Sequence, residues 1–129
     1  MDEAVEYEVT VDRPNYEKHT AWINNRYLDI EHVDAEGHIM TSFYFDGRLS
    51  GDPKKDIPAK DSMNVYHTVY NSINHIIQKR KPKSIEFMAS ESKYNDNYRR
   101  LAHHIAKNHN GRVEYSDPFH TIHFRENEG

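Results

Sequence analysis

Residues 84–90 read SIEFMAS, 93–111 KYNDNYRRLAHHIAKNHNG, 112–118 RVEYSDP and 119–125 FHTIHFR. Ile85, Phe87 and Ala89 alternate with Glu86 and Met88, which predicts a strand with one face more buried than the other. The period then changes. Tyr98, Leu101, Ala102, Ile105 and Ala106 fall at i, i+3, i+4, i+7 and i+8, one stripe of a helix. Asn95 or Asp96 suits its start as a cap, and Asn110-Gly111 its end, where glycine takes the left-handed conformation without steric cost. Val113 and Tyr115 alternate with Arg112 and Glu114. After Asp117-Pro118, His120, Ile122 and Phe124 share one strand face, and Thr121, His123 and Arg125 the other. The block is strand, helix and a closing pair of strands.

Outward from this block the same logic applies. Met63 to Lys81 is the strongest helix, with Tyr66, Val69, Tyr70, Ile73, Ile76 and Ile77 as its apolar stripe. Asp61 or Ser62 is its expected cap, basic Lys79–Lys81 suit its negative end, and Pro82 stops it. Residues 46–61 (DGRLSGDPKKDIPAKD) form a long charged loop, a kind usually functional or mobile. His38 to Phe45 and Leu28 to Val33 are strands joined by a hairpin turn at Ala35-Glu36-Gly37. Residues 16–27 contain the only Trp and end in Asn24-Asn25; they read as a short helix or an irregular cover. Val5, Tyr7, Val9 and Val11 alternate with Glu6, Glu8 and Thr10, a half-buried first strand with an acidic outer face.

The order β, cover, β, β, loop, α, β, α, β, β predicts one α/β (α+β) domain over 1–129, with a mixed, mostly antiparallel sheet and two main helices. The length of 129 residues suits one domain. Hydrophobic content is only 36%, but nine Tyr and five Phe bury much area per residue, so a core is expected. No cysteine is present, which excludes disulfides, zinc–thiolate sites and cysteine nucleophiles. The acidic, alternating N-terminus does not read as a signal peptide, and no apolar run approaches the length of a membrane span. A net charge of −4 disfavours a general nucleic-acid binder.

The order also resembles the GCN5-related N-acetyltransferase (GNAT) fold: hairpin, loop, long helix, strand, second helix, closing hairpin. Within it, Lys81-Pro82, Ile85 and Phe87, followed by Tyr98 and Arg100, are similar to a family of small bacteriophage proteins. Those carry a helix, a Lys-Pro-x-x-Ile-x-Phe strand and a helix with a Tyr-x-Arg core. The resemblance covers roughly half the chain, residues 63–125. The acetyltransferase likeness implies a tyrosine near the cofactor thiol; Tyr98 matches that place and would protonate the leaving thiolate as a general acid. Read from the residues alone, Tyr98 opens the apolar stripe and belongs to the core.

The family also implies a Gln/Arg-x-x-Gly-x-Gly/Ala loop whose backbone amides hold the cofactor pyrophosphate at a helix N-terminus. This chain has Arg48-Leu49-Ser50-Gly51-Asp52-Pro53. Pro53 lacks an N–H and Asp52 repels phosphate, so no standard acetyl-CoA site and no cofactor are expected. The expectation is therefore a phage-encoded accessory or virion-associated protein, in the host cytoplasm or the virion, that works by protein–protein contact. The partner would be a virion or host protein, or a second copy of the chain. Loop residues Arg48, Lys54 and Lys55 and the aromatic surface strands would make the contact. The alternatives are an active N-acetyltransferase using acetyl-CoA with Tyr98 as acid, and an inhibitor of a host enzyme.

The ten histidines raise metal binding. His120 and His123 point to opposite strand faces, His103 and His104 diverge, and His67 and His75 lie two turns apart. No pair chelates by sequence spacing, so no metal site is expected short of tertiary convergence. Lys79, Arg80, Lys81 and Lys83, with Arg99, Arg100, Lys107 and Arg112, read as a solvated helix end and scattered surface charge rather than a nucleic-acid patch. Glu86, Glu91 and Asp96 lie near the strand-to-helix junction, but spacing alone does not make them an acid/base pair.

Overall fold

The computed structural model describes residues 6–45, 48–49, 59–88, 95–116 and 118–124. Its elements in chain order are β1 (Tyr7–Arg13), β2 (Tyr16–Ile23), β3 (Arg26–Ala35), β4 (His38–Phe45), β5 (Arg48–Leu49), α1 (Ala59–Arg80), β6 (Ser84–Met88), α2 (Asn95–His109), β7 (Gly111–Ser116) and β8 (Phe119–Phe124). They build one mixed, mostly antiparallel sheet in the order β1-β2-β3-β4-β6-β8-β7, with β5 paired to β4.

Strands β1 to β4 form an antiparallel meander. Two-residue left-handed turns join its later strands. Asn24 and Asn25 both have positive φ, as do Glu36 and Gly37, the geometry that matches strand twist in tight hairpins. Gly37 N–H also donates to Asp34 Oδ1 (2.9 Å), and its carbonyl accepts from Lys83 N–H (2.7 Å), which seats the start of β6 beside this turn. Helix α1 crosses over, and β6 then pairs parallel to β4, from His38↔Ser84 to Thr41↔Phe87. β8 lies antiparallel to β6 and carries β7 on its far side.

Both helices cover the same face. Inward residues alternate along every inner strand: Ala21 and Ile23, Leu28 and Ile30, Ile39 and Phe43, Ile85 and Phe87, Ile122 and Phe124. They meet Val65, Val69, Ile73, Ile76 and Ile77 of α1 and Tyr98, Leu101, Ala102, Ile105 and Ala106 of α2 in one apolar core.

Several expectations change. Residues 16–23 are a full strand, not a helix or cover, and its inward positions include Glu17 and His19. The expected alternation of β1 fails at a register shift between Val9 and Val11: Val9 is exposed, and Val11 pairs with Lys18 on the opposite face. Helix α1 begins at Ala59, so Asp61 and Ser62 lie inside it rather than ahead of it. Asn110, not Gly111, takes the left-handed conformation after α2. Gly111 serves a close approach instead, since a Cβ there would come within 2.7 Å of Ile122 Cγ2. Part of the expected loop, Arg48–Leu49, is strand β5.

Candidate functional site

Helix α1 carries two stripes. One is apolar, toward the core. The other places Thr68, Ser72, His75 and Lys79 at spacings of four, three and four, a single helical face. This polar stripe lies over β1–β3, where the inward residues are Tyr7, Asp12, Glu17, His19 and His32. Glu17, His19, His32, Thr41 and Ser72 are all fully or almost fully buried.

These five form one hydrogen-bond chain. Thr41 Oγ1 lies 2.8 Å from His32 Nδ1, His32 Nε2 lies 2.8 Å from Ser72 Oγ, Ser72 Oγ lies 2.6 Å from His19 Nδ1, and His19 Nε2 lies 2.7 Å from Glu17 Oε2. Burial pushes the Glu17 carboxyl up, but hydrogen bonds from His19, Lys79 and Arg80 outweigh it and hold the pKa down to about 2. Burial lowers the His19 imidazole against the pull of Glu17, and lowers His32 to about 3 with help from the neighbouring His19. At neutral pH the chain is therefore an ionised carboxylate and two neutral rings.

That charge state fixes every proton. Ionised Glu17 only accepts, so His19 Nε2 carries the hydrogen and His19 Nδ1 accepts. Ser72 then donates to His19 and accepts from His32 Nε2–H. Thr41 donates to His32 Nδ1. All donors point one way, from Thr41 to Glu17.

The second carboxylate oxygen, Oε1, meets cations: Lys79 Nζ at 2.9 Å and Arg80 Nη2 at 3.1 Å. Lys79 also donates to Asp12 (3.0 Å), and Arg80 donates to the carbonyls of Arg13 and Pro14 (2.8 Å each). Arg80, largely buried, and Lys79, still exposed, both close a buried charge, which requires such partners.

Toward the sheet edge the cluster opens. His75 Nε2 lies 3.8 Å from Glu17 Oε2 and its Nδ1 is 2.9 Å from Tyr7 OH. Tyr7 stacks on His19 at 4.7 Å between ring centroids. Tyr7, Asn71, Asn74, His75, Gln78 and Lys79 line a cleft of about 510 Å³. Among the described residues, Glu17, His19 and His75 are the group whose donor atoms gather closely enough to hold a metal ion, within 4.8 Å of one another. This is the tertiary convergence that spacing alone does not supply. The connectivity carboxylate–imidazole–hydroxyl of Glu17, His19 and Ser72 matches that of a nucleophilic serine. Ser72 is fully buried and its hydroxyl lies between two rings, so it meets no substrate there.

Tyr98 lies elsewhere. It is 7% exposed and packs edge-on against Phe43 (5.5 Å), Phe87 (6.2 Å) and His120 (6.2 Å). That is its core reading. His120 is fully buried, stacked on Phe87, and neither ring nitrogen has a hydrogen-bond partner among the described residues. Burial, then Arg99 and His103, lower its pKa, so the ring is neutral. His123, on the opposite face, bonds Glu114 at 2.7 Å.

β4 runs beyond its pairing with β6, which ends at Thr41↔Phe87. On that side its last residues pair instead with β5, Tyr44↔Leu49 and Phe45↔Arg48. Arg48 thus sits in a strand, while Lys54 and Lys55 lie outside the described residues. No helix among the described residues is long and apolar enough to cross a membrane. Comparisons with protein-family models, curated proteins and solved structures find no match.

Proposed function

We propose that this chain is a binding protein on an acetyltransferase-like scaffold, and that the sheet face opposite the helices is its contact surface. The observation that carries this is Trp22, the only Trp, at 65% exposure on that face, edge-on to Tyr27 across the β2–β3 pair. Met40 (53% exposed), Val33 and Met88 stand on the same face. Among the described residues both helices pack on the other side. Exposed Trp and Met are among the residue types enriched where proteins dock. Between the Trp22–Tyr27 pair and Val33 with Met40, Thr20 donates to Asp29 (2.7 Å).

Two features support a scaffold without the transfer reaction. Tyr98, the acid of the acetyltransferase reading, is enclosed by rings. The end of β4, where the strands part, is bonded to β5 of the same chain. The bacteriophage resemblance makes the partner a virion or host protein. The test compares capture of a bacteriophage or host protein by wild type, by a Trp22→Ser/Met40→Glu variant and by Lys107→Glu on the helix side. Loss with the first variant and retention with the second supports the proposal. Retention by both, or micromolar binding of acetyl-CoA with acetylation of amines, overturns it.

A further inference from the structure

We propose that Glu17, His19 and His75 bind one first-row divalent transition-metal ion at the head of the cleft between β1 and α1. The site lies on the helix side of the sheet, so it stands or falls apart from the open face.

An ion about 2.0–2.2 Å from three nitrogen and oxygen donors needs them roughly 3–3.5 Å apart. The separations from Glu17 Oε2, 2.7 Å to His19 Nε2 and 3.8 Å to His75 Nε2, bracket that range. Each ligand is also aimed. Lys79 and Arg80 hold Oε1 and leave Oε2 to face the rings. Tyr7 OH holds His75 Nδ1, so a hydrogen there frees Nε2 for a metal. Ser72 holds His19 Nδ1. Such partners behind the ligands are what orient a metal site. Two imidazoles and one carboxylate, with no thiolate, suit zinc, nickel or iron(II) rather than calcium or magnesium. Of the three ligands His75 lines the cleft, while Glu17 and His19 are fully buried. Lys79 and Arg80 oppose the ion's charge, so affinity is expected to be lower than in a site without them.

Binding has a consequence away from the ion. A metal on His19 Nε2 takes the lone pair where the hydrogen now sits, so His19 must become the Nδ1–H tautomer. It then donates to Ser72, Ser72 donates to His32 Nε2, and His32 Nδ1–H donates to Thr41. The whole chain reverses direction with no net change in its proton count. His32, which touches no metal, changes tautomer.

The test uses the full chain and zinc chloride. Titration calorimetry at neutral pH is expected to show one ion per chain. His75→Gln, at the exposed rim of the cleft, is expected to weaken binding about a hundredfold or more. Tyr7→Phe keeps all three donors and removes only the hydroxyl behind His75; it is expected to weaken binding about tenfold. A His103→Gln/His104→Gln variant on α2 is expected to bind as wild type does. Nitrogen-15 spectra of the histidines are expected to show His32 passing from Nε2–H to Nδ1–H on saturation. No saturable binding, binding indifferent to His75→Gln, loss of binding in the α2 variant, or an unmoved His32 tautomer would each overturn the proposal.

Discussion

The helix-covered face holds two interiors of opposite kind. Under α2, between β6, β7 and β8, the core is apolar, and the buried His120 within it has no hydrogen bond among the described residues. Under α1, beside apolar core residues such as Leu28, Ile30 and Ile73, runs a polar chain in which each member is bonded to the next, from Thr41 to Glu17. The difference teaches that burial of a polar group carries no fixed cost. What matters is whether its partner is present.

The strongest way to break this contrast is Glu17→Ala. It leaves Arg80, Lys79 and the rings around an empty charge position, and urea unfolding is expected to show a loss of about 3–5 kcal/mol. The same residue sets the acid behaviour. Glu17 has a folded pKa of about 2, below its ordinary 4.5. Its stabilisation is therefore present above about pH 4.5 and is lost as pH falls toward 2. His32 acts with the same sign. Its folded pKa of about 3 lies below 6.5, so the unfolded chain takes up the proton first and stability falls from pH 6.5 downward. Stability against pH is expected to decline across this whole range in wild type, and to keep that shape in Tyr98→Phe. A flat profile between pH 6.5 and 4.5 would contradict a buried neutral His32.

Ser72→Ala comes next. It strands His19 Nδ1 and His32 Nε2–H together, and the expected loss is about 2–3 kcal/mol by the same measurement. His120→Leu tests the other interior and carries the opposite sign. Replacing an unbonded imidazole with an apolar side chain is expected to stabilise by about 1 kcal/mol. A loss as large as that of Ser72→Ala would mean the two interiors do not differ. Tyr98→Phe is expected to be the smallest, about 1 kcal/mol or less, because the ring packing remains.

The apolar interior was legible in the sequence because its periods are undisguised: Ile85 and Phe87, the α2 stripe, and His120, Ile122 and Phe124 all sit as alternation and helical spacing predict. The polar interior was not. In β2 the inward positions are Glu17, His19, Ala21 and Ile23, so the alternation starts with two residues that look solvent-facing. Thr68, Ser72, His75 and Lys79 do recur on one helical face, but a polar stripe on a helix ordinarily meets water. Only the strand register brings the two together. The β5 hairpin left a shorter signal, Asp46-Gly47 between Phe45 and Arg48, a dipeptide favoured in two-residue turns.

The most direct test of the polar interior is the nitrogen-15 spectrum of His19 and His32 in the metal-free protein at neutral pH. The one-way chain predicts two neutral rings, both with the hydrogen on Nε2. A doubly protonated His19, or His32 with its hydrogen on Nδ1, would contradict it.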